Sequence, residues 1–350
     1  MKSNYRYIVK AFMAMAVIAG TTSCDDFLDR EPMSSISPET YYSTAAQLEA
    51  NLNDEYPNVL PSFGQWTYGI FGEDKGTDNQ IEVNANDRYT QDRWKVPHSE
   101  SDNWKFERIY RINFFLSEAL PKFGEDMIGS QNTISGSVAT IKHYIGEMYF
   151  LRAYEYFKKL QLFGDFPIIN QPLADEMEAL REASKRFPRN EVARFIISDL
   201  DKAYAYMSDV DMATTRINKD AAMLVKSRVA LFEATWLQNF KGTAFVPGGE
   251  GWPGASLHNN YQYPSGNIDN EVKYFLEQAV EASKLVADKY KGSLTENTGV
   301  LQQSADDPSN PYFDMFAQED LSDVKEVLLW RQYARGLSTH NINAAAGRGN

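Results

Sequence analysis

The sequence predicts a mostly α-helical protein, in which irregular tetratricopeptide-like helical hairpins are joined by long loops and there is little β structure. Apolar residues recur at helical spacing in six segments. Strong alternation with a period of two occurs only at residues 324–333, where the sequence favours a strand. The helix starts are unevenly spaced, which excludes a strict 34-residue repeat.

The first two helices are predicted from a cap and from prolines. Thr44 and Gln47 have the spacing of a capping box, and Pro57 is expected to end the first helix. The second helix is expected from about residue 102 to residue 120, where Pro121 should stop it.

The other four helices are predicted from their apolar stripes. The third, from about residue 140 to residue 163, is apolar on most of its circumference, so we expect it to be central and buried. Asn190 is expected to cap the fourth helix, and Gly292 to be the C′ residue of the sixth. The last three helices are expected at residues 191–207, 219–238 and 272–290.

The N-terminus has the pattern of a signal peptide over residues 1–23, with basic residues before an apolar run of ten residues. That run is too short to span a bilayer as a helix. Cys24 is the only cysteine of the chain and follows three small residues, which resemble a bacterial lipobox. We therefore expect Cys24 to be lipidated, residues 24–43 to be a tether, and residues 44–350 to form the helical domain.

Composition and motifs give little indication of catalysis. The formal net charge of −13 repels phosphate backbones, so a nucleic-acid partner is not expected. The four histidines lie far apart, and no zinc-protease, nucleophile-elbow or P-loop pattern is present. The sequence thus predicts no catalytic residue, metal ligand or cofactor. A pair of glycosidase carboxylates is left open, because their separation depends on the fold.

Several segments, in order along the chain, resemble the SusD/RagB family of nutrient-binding outer-membrane lipoproteins. They are Ser23–Asp29 (SCDDFLD), Trp104–Asn113, Arg152–Phe157, Phe163–Pro167, Arg216–Ala222 and Lys325–Trp330. Members of that family continue well past the point where this sequence stops, so we expect the helical domain to lack its C-terminal part.

The resemblance implies a surface-exposed, lipid-anchored protein of the outer membrane that performs no chemistry. It implies capture of oligosaccharides and their delivery to a TonB-dependent, SusC-like transporter. Two alternatives stay open. One is a member of the same family that captures peptides, and the other is an enzyme that acts on surface polysaccharide.

Binding residues are expected in two long loops, residues 57–103 and 241–270. Both loops carry aromatic rings, on which the C–H face of a sugar packs, beside polar groups that bond its hydroxyls. Trp104 and Trp236 are expected in the core, and Asn113 as a buried, hydrogen-bonded residue. The candidate ligand-binding residues are Trp66, Asp78, Arg88 and Trp94 in the first loop and Trp252, Tyr261 and Tyr263 in the second.

Overall fold

The computed structural model describes residues 41–61, 103–124, 126–208, 212–301, 304 and 306–333. These residues contain eight α-helices, one 3-10 helix, two isolated β-bridges and no strand, which confirms the predicted fold class. The helices are α1 (Ala45–Val59), α2 (Glu107–Phe123), α3 (Val138–Phe163), α4 (Met177–Ala183), α5 (Arg189–Tyr206), α6 (Lys219–Asn239), α7 (Ile268–Tyr290) and α8 (Pro311–Ala317), and the 3-10 helix is Pro253–Ser256.

The predicted cap of α1 is confirmed, but the predicted stops of α1 and α2 are wrong. The Thr44 hydroxyl accepts the Gln47 N–H at 3.2 Å, and the Gln47 side chain accepts the Thr44 N–H at 3.0 Å. Pro57 and Pro121 both lie inside their helices. Each is the third residue from the helix end, where a proline removes one hydrogen bond and there is no further turn to disrupt. The helix α2 also begins at Glu107, later than predicted.

The helix α3 is the centre of the fold, as predicted, and α1, α2 and α5 all pack on it. It begins after Ser137, two residues earlier than predicted, and nearly all of its middle is buried. Gly146 allows α5 to approach closely. A Cβ atom at Gly146 would lie 2.8 Å from the Met207 backbone nitrogen and 2.9 Å from the Ala203 carbonyl oxygen.

The remaining long helices are stacked in chain order, with α5 on α3, α6 on α5 and α7 on α6. Asn218 and Asn267 cap α6 and α7 through their side chains. The prediction that Asn190 caps α5 is wrong. Asn190 lies inside α5, after Pro188 at the N-cap, and its side chain bonds Glu271 and Tyr261 instead.

Ion pairs with fully buried carboxylates link α5 to α3, to α6 and to α7. Each guanidinium approaches a carboxylate to hydrogen-bond distance, as a buried charge requires. Asn113, which the sequence predicts to be buried and hydrogen-bonded, lies beside Arg152. Asn113 is buried and accepts a bond from Arg152 at 2.8 Å, and His143 is buried with Nε2 3.0 Å from the Ile217 carbonyl oxygen. The pairs are Arg152–Asp199 between α3 and α5, Arg189–Glu233 between α5 and α6, and Arg194–Glu271 between α5 and α7.

The strand predicted at residues 324–333 is not formed. The segment 321–327 makes successive turns, and no neighbouring strand among the described residues offers a ladder to pair with. Residues 328–330 lie instead against the loop before α6, where the Trp330 N–H donates to the Thr214 carbonyl at 3.2 Å and the Asn218 side chain donates to the Leu328 carbonyl. Gly292 does not adopt a positive φ, so the left-handed C′ residue predicted after α7 is also absent.

Tyr42, which the predicted tether includes, is buried, with its ring centroid 5.5 Å from that of Phe115. The short helices α4 and α8 were not predicted from the sequence.

Candidate functional site

A groove of about 560 Å³ lies where the end of α3, the start of α5 and the loop after α6 meet. Gly164, with φ of +67°, ends α3 and turns the chain toward Asp165. The loop of residues 241–267 covers this turn. The side chains that define the groove are those of Asp165, Arg186, Arg189, Trp236, Phe245 and Trp252.

The Arg189–Glu233 ion pair forms the buried side of the groove. The Arg189 guanidinium donates to both Glu233 carboxylate oxygens at 2.9–3.1 Å and lies 4.1 Å from the ring centroid of Trp236. Burial raises the pKa of Glu233, and Arg189 only partly opposes it. The charge of Arg189 is therefore already matched within the protein.

Trp252 forms one wall and is fixed by its indole nitrogen. Its Nε1–H donates to the Asp165 carboxylate at 2.7 Å, and the other carboxylate oxygen accepts the Arg189 backbone N–H at 2.9 Å. Burial raises the pKa of Asp165, while these two hydrogen bonds oppose the rise. Trp252 is only 5% exposed, so most of its ring packs against protein.

Three further rings support Trp252 from behind. His258 stacks beside it with ring centroids 5.9 Å apart, and Tyr261 packs on it at 5.6 Å. The Tyr261 hydroxyl bonds Asn190, and the Tyr263 hydroxyl donates to the Pro247 carbonyl at 2.6 Å. Burial raises the pKa of both tyrosines, which stay neutral at ordinary pH.

The open face of the groove is apolar at one edge and cationic at another. Phe245 is 62% exposed, and Leu162 and Leu257 are exposed beside it. The Trp236 Nε1–H donates to the Phe245 carbonyl at 3.0 Å, which fixes the backbone that carries the exposed ring. The Arg186 guanidinium stacks over Trp104 at 4.6 Å from its ring centroid.

The structure brings some of the predicted binding residues together. Trp252 lines the groove, whereas Tyr261 and Tyr263 stand behind it as supports. Trp104 and Trp236, expected in the core, are partly buried against it. The predicted residues that lie outside the described residues are Trp66, Asp78, Arg88, Trp94 and the lipidation residue Cys24.

Five of the residues that define the groove were not predicted as binding residues: Asp165, Arg186, Arg189, Trp236 and Phe245. Asp165 belongs to the Phe163–Pro167 segment that carries the family resemblance, which was a usable signal. Arg186 and Phe245 have no comparable signal, because their place in the groove depends on contacts between distant segments.

A second cavity of about 770 Å³ lies between α1, α3, α6 and the segment 326–332. Its walls are mainly apolar, and the Glu326 Oε1 atom is buried there with no hydrogen-bond partner among the described residues. A sugar needs polar groups next to a flat ring surface, and both openings offer them. In the groove the Asp165, Arg189 and Trp252 side chains are fixed by hydrogen bonds, whereas the cavity holds the unpaired Glu326 oxygen. We therefore take the groove as the candidate site.

Within the described part of the chain, no cluster of three or more His, Cys, Asp or Glu residues could hold a metal ion. None of the helices described there is long and apolar enough to cross a membrane.

The described residues thus form a stack of helical hairpins with an aromatic groove at one side. The profile of the SusD-like family, described as starch-binding and associating with the outer membrane, matches residues 26–231. The chain therefore belongs to the SusD-like family, which confirms the resemblance seen in the sequence. The family description names a binding function, and association with the outer membrane is a property of the family.

Two relatives from Formosa agariphila illustrate the extent of the similarity. The chain is 26% identical over 233 residues to SusD-like protein P25, a match that covers 61% of this chain and 41% of that protein. It is 25% identical over 253 residues to SusD-like protein P2, covering 69% of this chain and 46% of P2. The chain thus spans less than half the length of these relatives.

Solved structures give weaker matches. A SusD-like carbohydrate-binding protein of Bacteroides fragilis matches with a TM-score of 0.42 and 16% identity over 74% of this chain and 42% of its own. A similar protein of Bacteroides vulgatus matches with a TM-score of 0.43 and 14% identity over 74% of this chain and 47% of its own. Both matches are too distant to add detail to the groove.

Proposed function

We propose that the chain is a cell-surface lipoprotein that captures oligosaccharides and delivers them to a TonB-dependent, SusC-like transporter. The family description supports glycan binding and outer-membrane association. The signal-peptide pattern of residues 1–23 and the position of Cys24 support a lipid anchor with residues 24–43 as its tether. The helical scaffold would then be the part that faces the transporter.

The observation that carries the proposal is the groove at Trp252. An exposed Phe245 ring offers a flat apolar surface for the C–H face of a sugar. Asp165, Arg189 and Trp252 are held in place by mutual hydrogen bonds, so a ligand would not have to order them on binding. Both carboxylates at the groove are engaged within the protein, Asp165 with Trp252 and a backbone N–H and Glu233 with Arg189, which favours binding over hydrolysis.

The first-loop candidates Trp66, Asp78, Arg88 and Trp94 remain part of the proposal as further contacts. In the second loop, Trp252 would contact the ligand with its exposed edge, and Tyr261 and Tyr263 would act by holding that ring.

The test is affinity electrophoresis of the purified chain on a panel of neutral polysaccharides, comparing Phe245→Ala with Phe316→Ala. Phe316 is 71% exposed and lies on α8, outside the groove, so the control removes an equally exposed ring. We expect Phe245→Ala to weaken retention on the order of tenfold, about 1.4 kcal/mol, and Phe316→Ala to leave it unchanged. If Phe245→Ala and Phe316→Ala are retained equally, the groove is not the glycan-binding site. Retention by a peptide column and by no glycan would favour the peptide-capturing alternative.

A further inference from the structure

We propose that the groove takes an acidic glycan, one whose sugar units carry a carboxylate, and that Arg186 is the residue that pairs with that carboxylate. The inference rests on the proposed glycan-binding function and names the substrate class of the same groove. It is carried by the position of Arg186, by its lack of an internal acidic partner and by the rings beside it.

Arg186 is held in place from its backbone and from its side chain. The His258 Nε2 atom lies 2.7 Å from the Arg186 carbonyl oxygen. The next residue, Phe187, exchanges two backbone hydrogen bonds with Phe166, at 3.0 and 3.2 Å. The guanidinium itself is stacked over Trp104. An exposed arginine held in this way loses less side-chain entropy on binding than a free one.

Neighbouring cations are paired with acidic residues, whereas Arg186 is not. Arg189 is paired with Glu233, and Lys185 with Glu182 at 2.5 Å. Among the described residues no acidic side chain forms an ion pair with Arg186. The carboxylate of the groove, Asp165, is already bonded by Trp252 and by a backbone N–H. Of the two arginines that line the groove, Arg186 is therefore the one without an ion-pair partner among the described residues.

The stacking geometry leaves the guanidinium able to bind a carboxylate. A guanidinium that lies over a ring contacts it with its face, while its N–H groups point outward in the plane of the group. Those N–H groups form a fork that matches the two oxygens of a carboxylate. A uronic acid unit combines such a carboxylate with a C–H face, which the exposed Phe245 ring in the same groove can receive.

The experiment compares polygalacturonate and alginate with the same two polymers after methyl esterification, which removes the charge and keeps the sugar backbone. The full chain, Arg186→Gln, Arg186→Lys and Arg181→Gln are measured by affinity electrophoresis. Arg181 is the matched control, because it is also an exposed arginine nearby in sequence, but it lies outside the groove and pairs with Glu178.

We expect the chain and Arg181→Gln to bind an acid form at least tenfold more tightly than its ester. Arg186→Gln should lose that preference, and Arg186→Lys should keep only part of it, because an ammonium lacks the planar fork. The preference should shrink as salt is raised in the chain and in Arg181→Gln. In Arg186→Gln the repulsion between the acidic polymer and the net charge of −13 remains, so added salt should not weaken its binding of the acid form. If Arg186 only packed on Trp104 and did not contact the ligand, Arg186→Gln would keep the salt dependence of the unmodified chain.

Equal binding of the acid and ester forms would overturn the inference, as would equal behaviour of Arg186→Gln and Arg181→Gln. Preference for polyglutamate over both acidic polysaccharides would overturn it in favour of a peptide ligand. If neutral polysaccharides are retained through Phe245 and acidic ones are not, the inference fails while the proposed function stands. If no polysaccharide of either kind is retained, the proposed function itself fails.

Discussion

The groove at Trp252 has a volume of about 560 Å³, and the cavity beside residues 326–332 has a volume of about 770 Å³. The two sites differ more in the interactions that fix their wall residues than in size. In the groove, Trp252 is bonded to Asp165, Arg189 to Glu233, and Trp236 to a backbone carbonyl. In the cavity, Tyr56 and Trp330 are also hydrogen-bonded, but a buried Glu326 carboxylate oxygen has no partner among the described residues. A site whose rings and charges are already ordered loses less entropy on binding, so the comparison points to the groove even though it is smaller.

The same comparison shows how the scaffold supports the groove. Its buried ion pair, Arg189–Glu233, also joins α5 to α6, so the stability of the stack and the geometry of the groove depend on the same residues. Among the described residues that line the cavity, no ion pair forms.

The largest expected effect comes from breaking the Arg189–Glu233 pair. Glu233→Gln leaves a buried arginine without a counter-charge, which typically costs about 3–5 kcal/mol of unfolding free energy. Because that arginine stacks on Trp236, we also expect weaker glycan retention. The measurement is urea unfolding, with Glu277→Gln as the control, since the side chain of Glu277 on α7 is 64% exposed. A loss in Glu233→Gln no greater than in the control would show that the pair does not support the groove.

A smaller effect, dependent on pH, is expected for the pair behind the groove, Arg194–Glu271. Burial alone would raise the pKa of Glu271, but hydrogen bonds from Arg194, Asn190 and Ser265 outweigh it and hold the pKa below its ordinary value of 4.5. A carboxyl with a lowered pKa adds stability above pH 4.5, and that stability is lost as the pH falls through the folded-state pKa. The sign is opposite for Glu233, whose pKa is raised.

We therefore expect Glu271→Gln to cost about 3 kcal/mol at pH 7, where charged hydrogen bonds are lost, and progressively less below pH 4.5. The measurement is the difference in unfolding free energy between the chain and the variant from pH 7 to pH 3. A difference that stays constant with pH would contradict the lowered pKa of Glu271.

The sequence predicts the parts of this molecule that depend on local patterns. The apolar stripes locate α3, α5, α6 and α7, and the capping box at Thr44 forms as expected, because these features involve residues within one or two turns. The stops at Pro57 and Pro121 are predicted two residues too early, because a proline removes only its own N–H and the residues after it still donate to carbonyls of the preceding turn.

The groove is less predictable because its parts come from distant segments. Asp165 and Trp252 are separated by 87 positions, and nothing in the loop pattern says that the indole turns inward to meet that carboxylate. Composition correctly marked the second loop as rich in rings, but it could not distinguish a ring that faces a ligand from one that supports a neighbour. Tyr261 and Tyr263 illustrate this, since both hydroxyls are bonded within the protein.

The smallest expected effect tests the cavity directly. The Trp330 Nε1–H donates to the Thr214 hydroxyl at 2.8 Å, and Trp330→Phe removes that bond while keeping an aromatic ring and the backbone bond to the Thr214 carbonyl. We expect a loss of about 1 kcal/mol in unfolding free energy, the usual contribution of one hydrogen bond, and unchanged retention on any polysaccharide that the chain binds. If Trp330→Phe weakens retention as strongly as Phe245→Ala does, the cavity takes part in binding, and ordered walls are then a poor guide to where this chain holds its ligand.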